Sequence, residues 1–409
     1  MSSVLPACRS CGETGLTTIL SMGRTPLANA LLTAEQLKQP EPTYPLDLAF
    51  CSHCSLVQIT KTVSPEKLFK EYLYFSSFSD TMLRHAEGLV QRLVPSRRLD
   101  GDSLVVEVAS NDGYLLQYYK EAGIPVLGIE PAANVAKVAQ EERGIPTLCE
   151  FFGEKLARKL RRQGKRADVI HAHNVLAHVA DLNGFVQGIK LLLKDYGVAV
   201  VEVPYVKDMI DRREFDTIYH EHLCYFSLTA LEELFRRHDL VVQNVEHLSI
   251  HGGSLRLFVT VHGQQKSAVG SLRAEEALWD VKGQGFYKGF AAQVQDLKNS
   301  LRSLLHKLKR NGNRLAAYGA AAKGSTLLNY FGIGRELLDF VADRSTYKQG
   351  LYMPGVRLPI CPPEKLLNEM PDYVLLLTWN FADEIMEQQA EYRRRGGHFI
   401  IPIPEVTVV

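Results

Sequence analysis

The sequence has no excess of charge of either sign, because 47 Lys and Arg residues are balanced by 46 Asp and Glu residues. A chain with a net charge of +1 lacks the basic surface that is typical of electrostatic nucleic-acid binders. Long hydrophobic runs are also missing: the apolar stretch 373–377 is too short to cross a bilayer, and the N-terminus has no signal-peptide core. We therefore predict a cytoplasmic protein without nucleic-acid or membrane partners.

Cysteine is scarce, and four of the seven cysteines form two C-x-x-C pairs, Cys8 with Cys11 and Cys51 with Cys54. In a reducing compartment such pairs indicate metal rather than disulfides. Four thiolates complete a tetrahedral structural zinc site and leave no open position for catalysis. We predict a zinc-binding module over residues 1–65, with four unrelated buried cysteines as the alternative.

A G-x-G-x-x-G loop is absent after the apolar strand predicted at 104–109, which argues against a pyrophosphate-binding turn. A small polar turn and a helical pattern follow, and the next predicted strand ends in Glu130, where a carboxylate suits ribose hydroxyls. The pattern E-x-x-x-N-D-G resembles the S-adenosylmethionine (SAM) site of class I methyltransferases, and an ordinary turn of another α/β enzyme is the alternative. The candidate SAM-binding residues are Glu107, Ser110, Asn111, Gly113, Glu130 and Asn174.

Alternating helices and apolar strands predict a mainly parallel sheet in a domain over residues 66–265. The predicted strands are 104–109, 126–129, 168–172, 197–203, 239–246 and 255–261. Ligands bind at the carboxyl ends of such strands, where Asn174 and His178 follow the third one. The spacing of His171, His173 and His178 does not complete a metal site, and capping or surface roles are as plausible for the first two.

The densest group of reactive side chains is Tyr219-His220-Glu221-His222. If this segment is extended, Tyr219 and Glu221 share one side and the two histidines share the other. The spacing is too short for a helical zinc motif but suits acid–base chemistry, in which a carboxylate or phenol orients an imidazole. A hydrogen-bonded polar strand is the alternative.

The C-terminal part begins with helices at 266–312, whose apolar seam predicts a linker that bridges domains. Residues 313–409 then predict a second Rossmann-like unit. Gly319 and Gly324 occupy the outer positions of a dinucleotide fingerprint, but Ala321 replaces the middle glycine. This turn and Lys323 suit either a diphosphate or tight helix–strand packing with an exposed lysine.

Taken together, these motifs resemble the sugar C-methyltransferases, which methylate a carbon of a nucleotide-linked ketosugar. The matching features are the two Cys pairs, 106–113, 219–222 and His251-Gly252-Gly253-Ser254-Leu255-Arg256. The resemblance implies a zinc module, a SAM-binding domain and a C-terminal α/β domain. It also implies that His222 is the base, that Tyr219 and Glu221 assist it, and that His178 and Tyr74 line the sugar pocket.

The predicted fold is therefore α/β, with a class I SAM-methyltransferase domain between the zinc module and a C-terminal Rossmann-like domain. We expect methylation of the carbon next to the keto group of a dTDP- or GDP-linked 4-keto-deoxysugar, with C-3′ favoured over C-5′. The candidate substrate contacts are Tyr205, Arg256 and Lys323, and a monomer is favoured. Two alternatives are an RNA-modifying SAM methyltransferase, whose zinc module would bind RNA, and a non-catalytic scaffold.

Overall fold

The computed structural model describes residues 6–64, 68 and 76–409. Its strands belong to three sheets. They are β1 (Thr17–Thr25), β2 (Tyr44–Phe50), β3 (Val57–Ile59), β4 (Val105–Val108), β5 (Val126–Ile129), β6 (Thr147–Leu148), β7 (Ala167–His173), β8 (Leu193–Pro204), β9 (Cys224–Tyr225), β10 (Val241–Leu248), β11 (Ser254–Thr260), β12 (Leu315–Tyr318), β13 (Val341–Ala342), β14 (Ile360–Cys361), β15 (Tyr373–Leu376), β16 (His398–Ile401) and β17 (Thr407–Val408).

The α-helices lie mainly between the strands of the second and third sheets. They are α1 (Asp80–Arg97), α2 (Leu116–Glu121), α3 (Ala133–Glu141), α4 (Glu154–Arg162), α5 (Leu182–Leu192), α6 (Val206–Asp211), α7 (Leu228–Arg236), α8 (Ser267–Leu278), α9 (Gly285–Lys288), α10 (Phe290–Arg310), α11 (Ala322–Phe331), α12 (Glu364–Glu369), α13 (Ala382–Gln388) and α14 (Ala390–Arg394). Among the described residues, no helix is both long and apolar enough to span a membrane.

The central sheet has seven strands in the order β10-β11-β8-β7-β4-β5-β6. Its strands are parallel except β11, which runs antiparallel to both β8 and β10. The predicted parallel character is therefore confirmed for most of the sheet. The sequence pattern revealed neither the reversed direction of β11 nor the two-residue strand β6.

Alternation along these strands covers both faces of the sheet with helices. Val105 and Val169 belong to the apolar cluster that includes α1 and α2. Val106 and Ile170 belong to the cluster that includes α4 and α5. Because both faces are buried, the exposed carboxyl ends of the strands are where ligands can approach.

The first sheet has the order β1-β2-β3-β9, so it contains a strand that comes more than 160 residues after β3 in the chain. Val57 pairs with Tyr225 and Gln58 pairs with Cys224. The strand β9 begins two residues after His222. The sheet of the zinc module therefore holds one end of the candidate catalytic segment.

The third sheet has the order β14-β13-β12-β15-β16-β17, and all its pairings are parallel except that of β17. This arrangement confirms a Rossmann-like unit. The bridging helix α10 also forms, with Asn311 as its C-cap and Gly312 at a φ of 85°. Its buried seam includes Leu305, whereas the neighbouring Leu304 is only partly buried.

Candidate active site

The four cysteines of the two pairs come together. Their Sγ atoms all lie within 4.8 Å of one another, and the Cys8–Cys54 and Cys11–Cys51 separations are both 3.6 Å. A tetrahedron of zinc–sulfur bonds has S···S edges of about 3.8 Å, and a disulfide has an S–S bond of about 2.05 Å. The donor set therefore fits a structural zinc ion, as predicted.

The turn after β4 has the backbone shape of a ligand-binding loop. Ala109, Asn111 and Gly113 have φ values of 55°, 49° and 79°. A methyl group on Gly128 of the neighbouring strand would lie 2.6 Å from the Ser110 hydroxyl and 2.8 Å from the Thr147 hydroxyl. Gly128 therefore allows β5 to pack closely against this turn.

Three buried carboxyl groups surround the turn: Glu107, Asp112 and Glu130. Burial raises the pKa of Glu107 well above its ordinary value, and the nearby Asp112 and Glu130 raise it further. Within the described part of the chain, Glu107 Oε2, Ser110 Oγ and Asp112 Oδ1 have no hydrogen-bond partner. Such an excess of buried acid fits a ligand that carries positive charge and hydrogen-bond donors, as SAM does.

Glu130 has backbone partners in this structure. Its carboxylate accepts hydrogen bonds from the backbone N–H of Asn111, at 3.0 Å, and of Ala132, at 2.8 Å. It thereby links the end of β5 to the turn after β4. The predicted contact with ribose hydroxyls stays a prediction.

The segment before α1 covers the same turn. The Ser76 backbone N–H donates to Asn111 Oδ1 at 2.9 Å, and the Ser77 hydroxyl donates to the Asp112 carboxylate. Ser79 then caps α1 by accepting from the Met82 backbone N–H at 3.3 Å. Tyr74, a predicted pocket residue, lies outside the described residues.

The 219–222 segment is a tight turn, so the expectation for an extended segment is wrong. The His222 backbone N–H donates to the Tyr219 carbonyl at 2.9 Å, which brings these two side chains together. The Tyr219 hydroxyl lies 2.8 Å from His222 Nε2, and His222 Nδ1 donates to the Thr217 carbonyl at 2.8 Å. This carbonyl places the hydrogen of the neutral ring on Nδ1 and leaves Nε2 as the basic nitrogen.

His178 packs beside this pair, with its ring centroid 4.9 Å from that of His222. Its Nδ1 donates to the Glu221 carbonyl at 2.7 Å, and the Leu223 N–H donates to the Ala177 carbonyl at 2.7 Å. Burial lowers the pKa of His178 to about 4, so its ring is neutral at physiological pH. These contacts join the turn at 219–222 to the loop after β7, beside the strand that carries the candidate SAM-binding turn.

Glu221 contacts a residue that the sequence analysis missed. The Asn29 amide donates to both carboxylate oxygens, at 2.8 and 2.9 Å. Burial raises the pKa of Glu221 to about 7, while the Asn29 amide opposes the rise. Asn29 is 192 residues away in sequence, and a lone asparagine after a strand gives no signal of such a contact.

The other histidines lie outside this group. His220 is buried, and its Nε2 donates to the Pro45 carbonyl at 3.1 Å. His171 lies between the Tyr119 hydroxyl, at 2.9 Å, and His173, at 3.1 Å. Among the described residues, the four cysteines are the one group whose ligand atoms converge, so the structure gives no support for a histidine metal site.

Arg256 belongs to a buried ion-pair network. Its guanidinium donates to Glu202 at 2.5 Å, to Glu246 at 3.0 Å and to His85 at 2.8 Å. The network attaches α1, which carries His85, to β8 and β11. These partners account for the charged Glu202 at a strand end, but they do not support the predicted substrate contact of Arg256.

Tyr205 is likewise buried and hydrogen-bonded within the protein. Its hydroxyl donates to Glu276 at 3.0 Å, and the ring is 1% exposed. The Glu276 carboxylate accepts from the backbone N–H groups of Leu228 and Thr229 at the start of α7. The structure thus gives Tyr205 a packing role, and its predicted substrate contact has no support from these partners.

Lys323 of the C-terminal domain faces the central domain. Its ammonium lies 4.6 Å from the centre of the Trp379 ring and donates to Asn380 at 3.2 Å. The Trp379 indole donates to the buried carboxylate of Asp216 at 2.7 Å, one residue before Thr217. Lys323 is therefore half-buried rather than an exposed surface charge, and it lies beside the contact between the two domains.

The glycines near Lys323 serve packing. A methyl group on Gly319 would lie 2.4 Å from the Thr378 hydroxyl, and one on Gly324 would lie 2.7 Å from Leu377 Cβ. The close approach of α11 to the ends of β12 and β15 therefore explains these small residues. Of the two interpretations of this turn, tight packing holds for the glycines.

Family models match almost the whole chain in three consecutive pieces. A zinc binding domain matches residues 8–69, a methyltransferase domain matches 80–245, and a C-methyltransferase C-terminal domain matches 249–404. The C-methyltransferase NovU of Streptomyces niveus is 36% identical over 98% of this chain and 96% of its own length. This chain belongs to the C-methyltransferase family.

Solved structures resemble parts of this C-methyltransferase more remotely. The PH0226 protein of Pyrococcus horikoshii OT3 is 14% identical over 48% of this chain and 99% of its own, with a TM-score of 0.39. The magnesium protoporphyrin IX methyltransferase of Synechocystis PCC 6803 is 13% identical over 47% of this chain and 90% of its own, with a TM-score of 0.35.

The identification assigns functions to two of the features described above. The central domain of this C-methyltransferase has the SAM-binding methyltransferase fold, and the cysteine cluster belongs to its zinc-binding domain. The predicted family, fold and cofactors are therefore confirmed.

Proposed function

We propose that this C-methyltransferase acts on a nucleotide-linked 4-keto-deoxysugar and methylates the carbon next to the keto group, with C-3′ favoured over C-5′. The observation that carries the proposal is the 2.8 Å contact between Tyr219 and His222, in a turn that is bonded to the loop after β7. A C–H bond beside a carbonyl is acidic enough for an imidazole base, whereas an unactivated sugar C–H bond is not.

His222 is the base in this proposal. The Thr217 carbonyl holds hydrogen on Nδ1, so Nε2 accepts the proton from the sugar carbon. The Tyr219 hydroxyl contacts Nε2 before substrate binds. Once the enolate forms, this hydroxyl donates a hydrogen bond to the enolate oxygen. Bound SAM supplies the electrophilic methyl group.

His178 and Glu221 shape the pocket around the base. Neutral His178 uses its Nδ1 hydrogen on the Glu221 carbonyl, which fixes the turn against the sheet. This favours Tyr219 over His178 as the donor to the enolate oxygen, because a neutral imidazole has a single N–H group. We assign to Glu221 the relay of a proton onward from the site.

Lys323 and Trp379 are the residues we assign to the nucleotide part of the substrate. A half-buried ammonium beside an indole face combines attraction for a diphosphate with a surface on which a base can stack. The substrate panel described next distinguishes dTDP from GDP as the nucleotide.

The test of the proposed activity is incubation of the enzyme with SAM and a panel of dTDP- and GDP-linked 4-ketosugars and their 4-hydroxy counterparts. We expect mass spectrometry to detect one added methyl group on a ketosugar and none on the hydroxy sugars. Transfer RNA is included in the panel as a further test compound. Methylation of RNA or of a sugar oxygen, with every ketosugar unchanged, would refute the proposal.

A second measurement tests the base directly. Without SAM, the wild-type enzyme should exchange the acidic sugar hydrogen with deuterium from the solvent. His222→Asn should slow this exchange by about 10²–10⁴-fold, the usual contribution of a general base. His262→Asn, a change at an exposed histidine, is the matched control and should exchange at the wild-type rate.

A further inference from the structure

The zinc module reaches the catalytic turn through one side chain. Asn29 lies in the loop after β1, and its amide contacts both oxygens of the Glu221 carboxylate at 2.8 and 2.9 Å. Glu221 is 5% exposed, whereas Asn29 is exposed. A buried carboxylate thus receives both of these hydrogen bonds from an exposed residue of another domain.

The loop that carries Asn29 is fixed on both sides. Before it, β1 pairs with β2 in the sheet that also holds β9. After it, Leu32 and Tyr352 of the C-terminal domain exchange backbone hydrogen bonds, each of 2.9 Å. Asn29 therefore lies where the three domains meet, and its position depends on how they are assembled.

We propose that Asn29 is a positioning residue for the methyl-transfer reaction: its amide holds the Glu221 carboxylate in the orientation and the ionised form that the catalytic turn uses. The inference rests on the proposed function for its kinetic part. In this view the zinc module is a working part of the active site, since it supplies the donor that Glu221 lacks within its own domain's described contacts.

The charge of the side chain at position 29 makes the proposal testable. An amide N–H stabilises an ionised carboxylate more than a protonated one, and an added carboxylate does the opposite. Asn29→Asp keeps the size of the side chain, removes the donor and adds a like charge. If Asn29 only filled space, Asn29→Asp would behave as the wild type does. If it positions Glu221, Asn29→Asp should impair the enzyme more than Asn29→Ala.

The first measurement needs no substrate. The melting temperatures of wild type and Asn29→Asp are compared from about pH 5 to about pH 9, on either side of the Glu221 titration. We expect the gap between them to widen by roughly 2 °C or more as the pH rises. In a Glu221→Gln background this widening should disappear. An equal gap at every pH, or the same widening in that background, would overturn the proposal.

Other titrating groups lie near Glu221 and are controlled by the same design. His178 donates to the Glu221 carbonyl, and His220 and His222 are its neighbours in the chain. Tyr219 and Tyr225 also belong to this turn and to β9. These groups are present both with and without the carboxylate of Glu221, so a widening that disappears in the Glu221→Gln background is assigned to that carboxylate. Gln39→Glu, the same chemical change at an exposed position of the zinc module, should show no widening.

The second measurement uses the ketosugar that the wild-type enzyme converts. We expect the acidic limb of the kcat/KM profile to move to higher pH in Asn29→Asp, by about one unit, with a smaller movement in Asn29→Ala. KM for SAM should stay at the wild-type value. If the wild type converts no ketosugar, the proposed function fails while the melting experiment still decides the role of Asn29. A converting enzyme whose pH profile is the same in all variants would refute the kinetic part.

Discussion

Burial makes ionisation unfavourable for individual carboxyl groups near the contact between the central and C-terminal domains. Glu214 is 4% exposed, and within the described part of the chain its Oε1 has no hydrogen-bond partner. Its pKa is raised to about 8, mainly by burial; Lys323 opposes the rise and Asp216 adds to it. An unfolded glutamate has a pKa of about 4.3, so between these values the folded protein holds a proton that the unfolded chain has lost. This group therefore makes the protein less stable as the pH rises through that interval.

Glu214→Gln should consequently stabilise the protein at high pH. The expected gain is about 3–5 kcal/mol at most above pH 8, and it should vanish near pH 4, where both forms are neutral. Melting temperatures measured across this range test the prediction. The matched control is Glu121→Gln, at an exposed site, which should show no comparable gain. Equal stability of Glu214→Gln and wild type above pH 8 would contradict it.

At the scale of elements, the SAM turn depends on how closely β5 packs against the end of β4. A methyl group on Gly128, which lies within β5, would contact both the Ser110 and the Thr147 hydroxyl at under 3 Å. The strain would fall on Ser110, within the turn whose buried polar atoms fit SAM.

Gly128→Ala should therefore weaken SAM binding on the order of tenfold, which corresponds to about 1.4 kcal/mol, because the turn must move to relieve the contact. Isothermal titration calorimetry with SAM measures the change. Gly101→Ala is the matched control, because its added methyl group meets nothing within 4 Å. Identical affinities in the two variants would show that the turn adapts without cost.

At the scale of the whole molecule, the domains are joined through the candidate catalytic segment. The strand β9 lies in the sheet of the zinc module, and Asp216, before the turn, binds the Trp379 indole of the C-terminal domain. The segment between them is 219–222. Disturbing either outer domain should therefore disturb the proposed base, His222.

Loss of zinc should expose this dependence. We expect about one zinc per chain by elemental analysis, and faster amide hydrogen exchange over 219–225 once a chelator removes the metal, since β3 then no longer holds β9 firmly. Cys54→Ser should reproduce the effect, whereas Cys149→Ser, a change at an exposed cysteine outside the cluster, should not. Unchanged exchange over this segment after metal loss would contradict the prediction.

Trp379→Phe tests the contact on the other side. It removes the indole N–H that binds the buried Asp216 carboxylate and should lower stability by about 1–3 kcal/mol, the cost of leaving a buried acceptor unpaired. Trp279→Phe is the control, because the Trp279 indole nitrogen has no hydrogen-bond partner among the described residues. Equal changes in melting temperature for the two variants would argue against an interdomain role for this hydrogen bond.

The sequence by itself determined the features that depend on local spacing. The Cys8 and Cys51 pairs predicted the zinc cluster, and the apolar runs located the main strands of both Rossmann-like sheets, because paired thiolates and strand periodicity are short-range patterns. Tertiary structure decided the partners of the charged residues. It paired Glu221 with Asn29 and Arg256 with Glu202, because such contacts depend on which distant segments meet. The tight turn at 219–222, which the periodicity did not reveal, brought Tyr219 to His222.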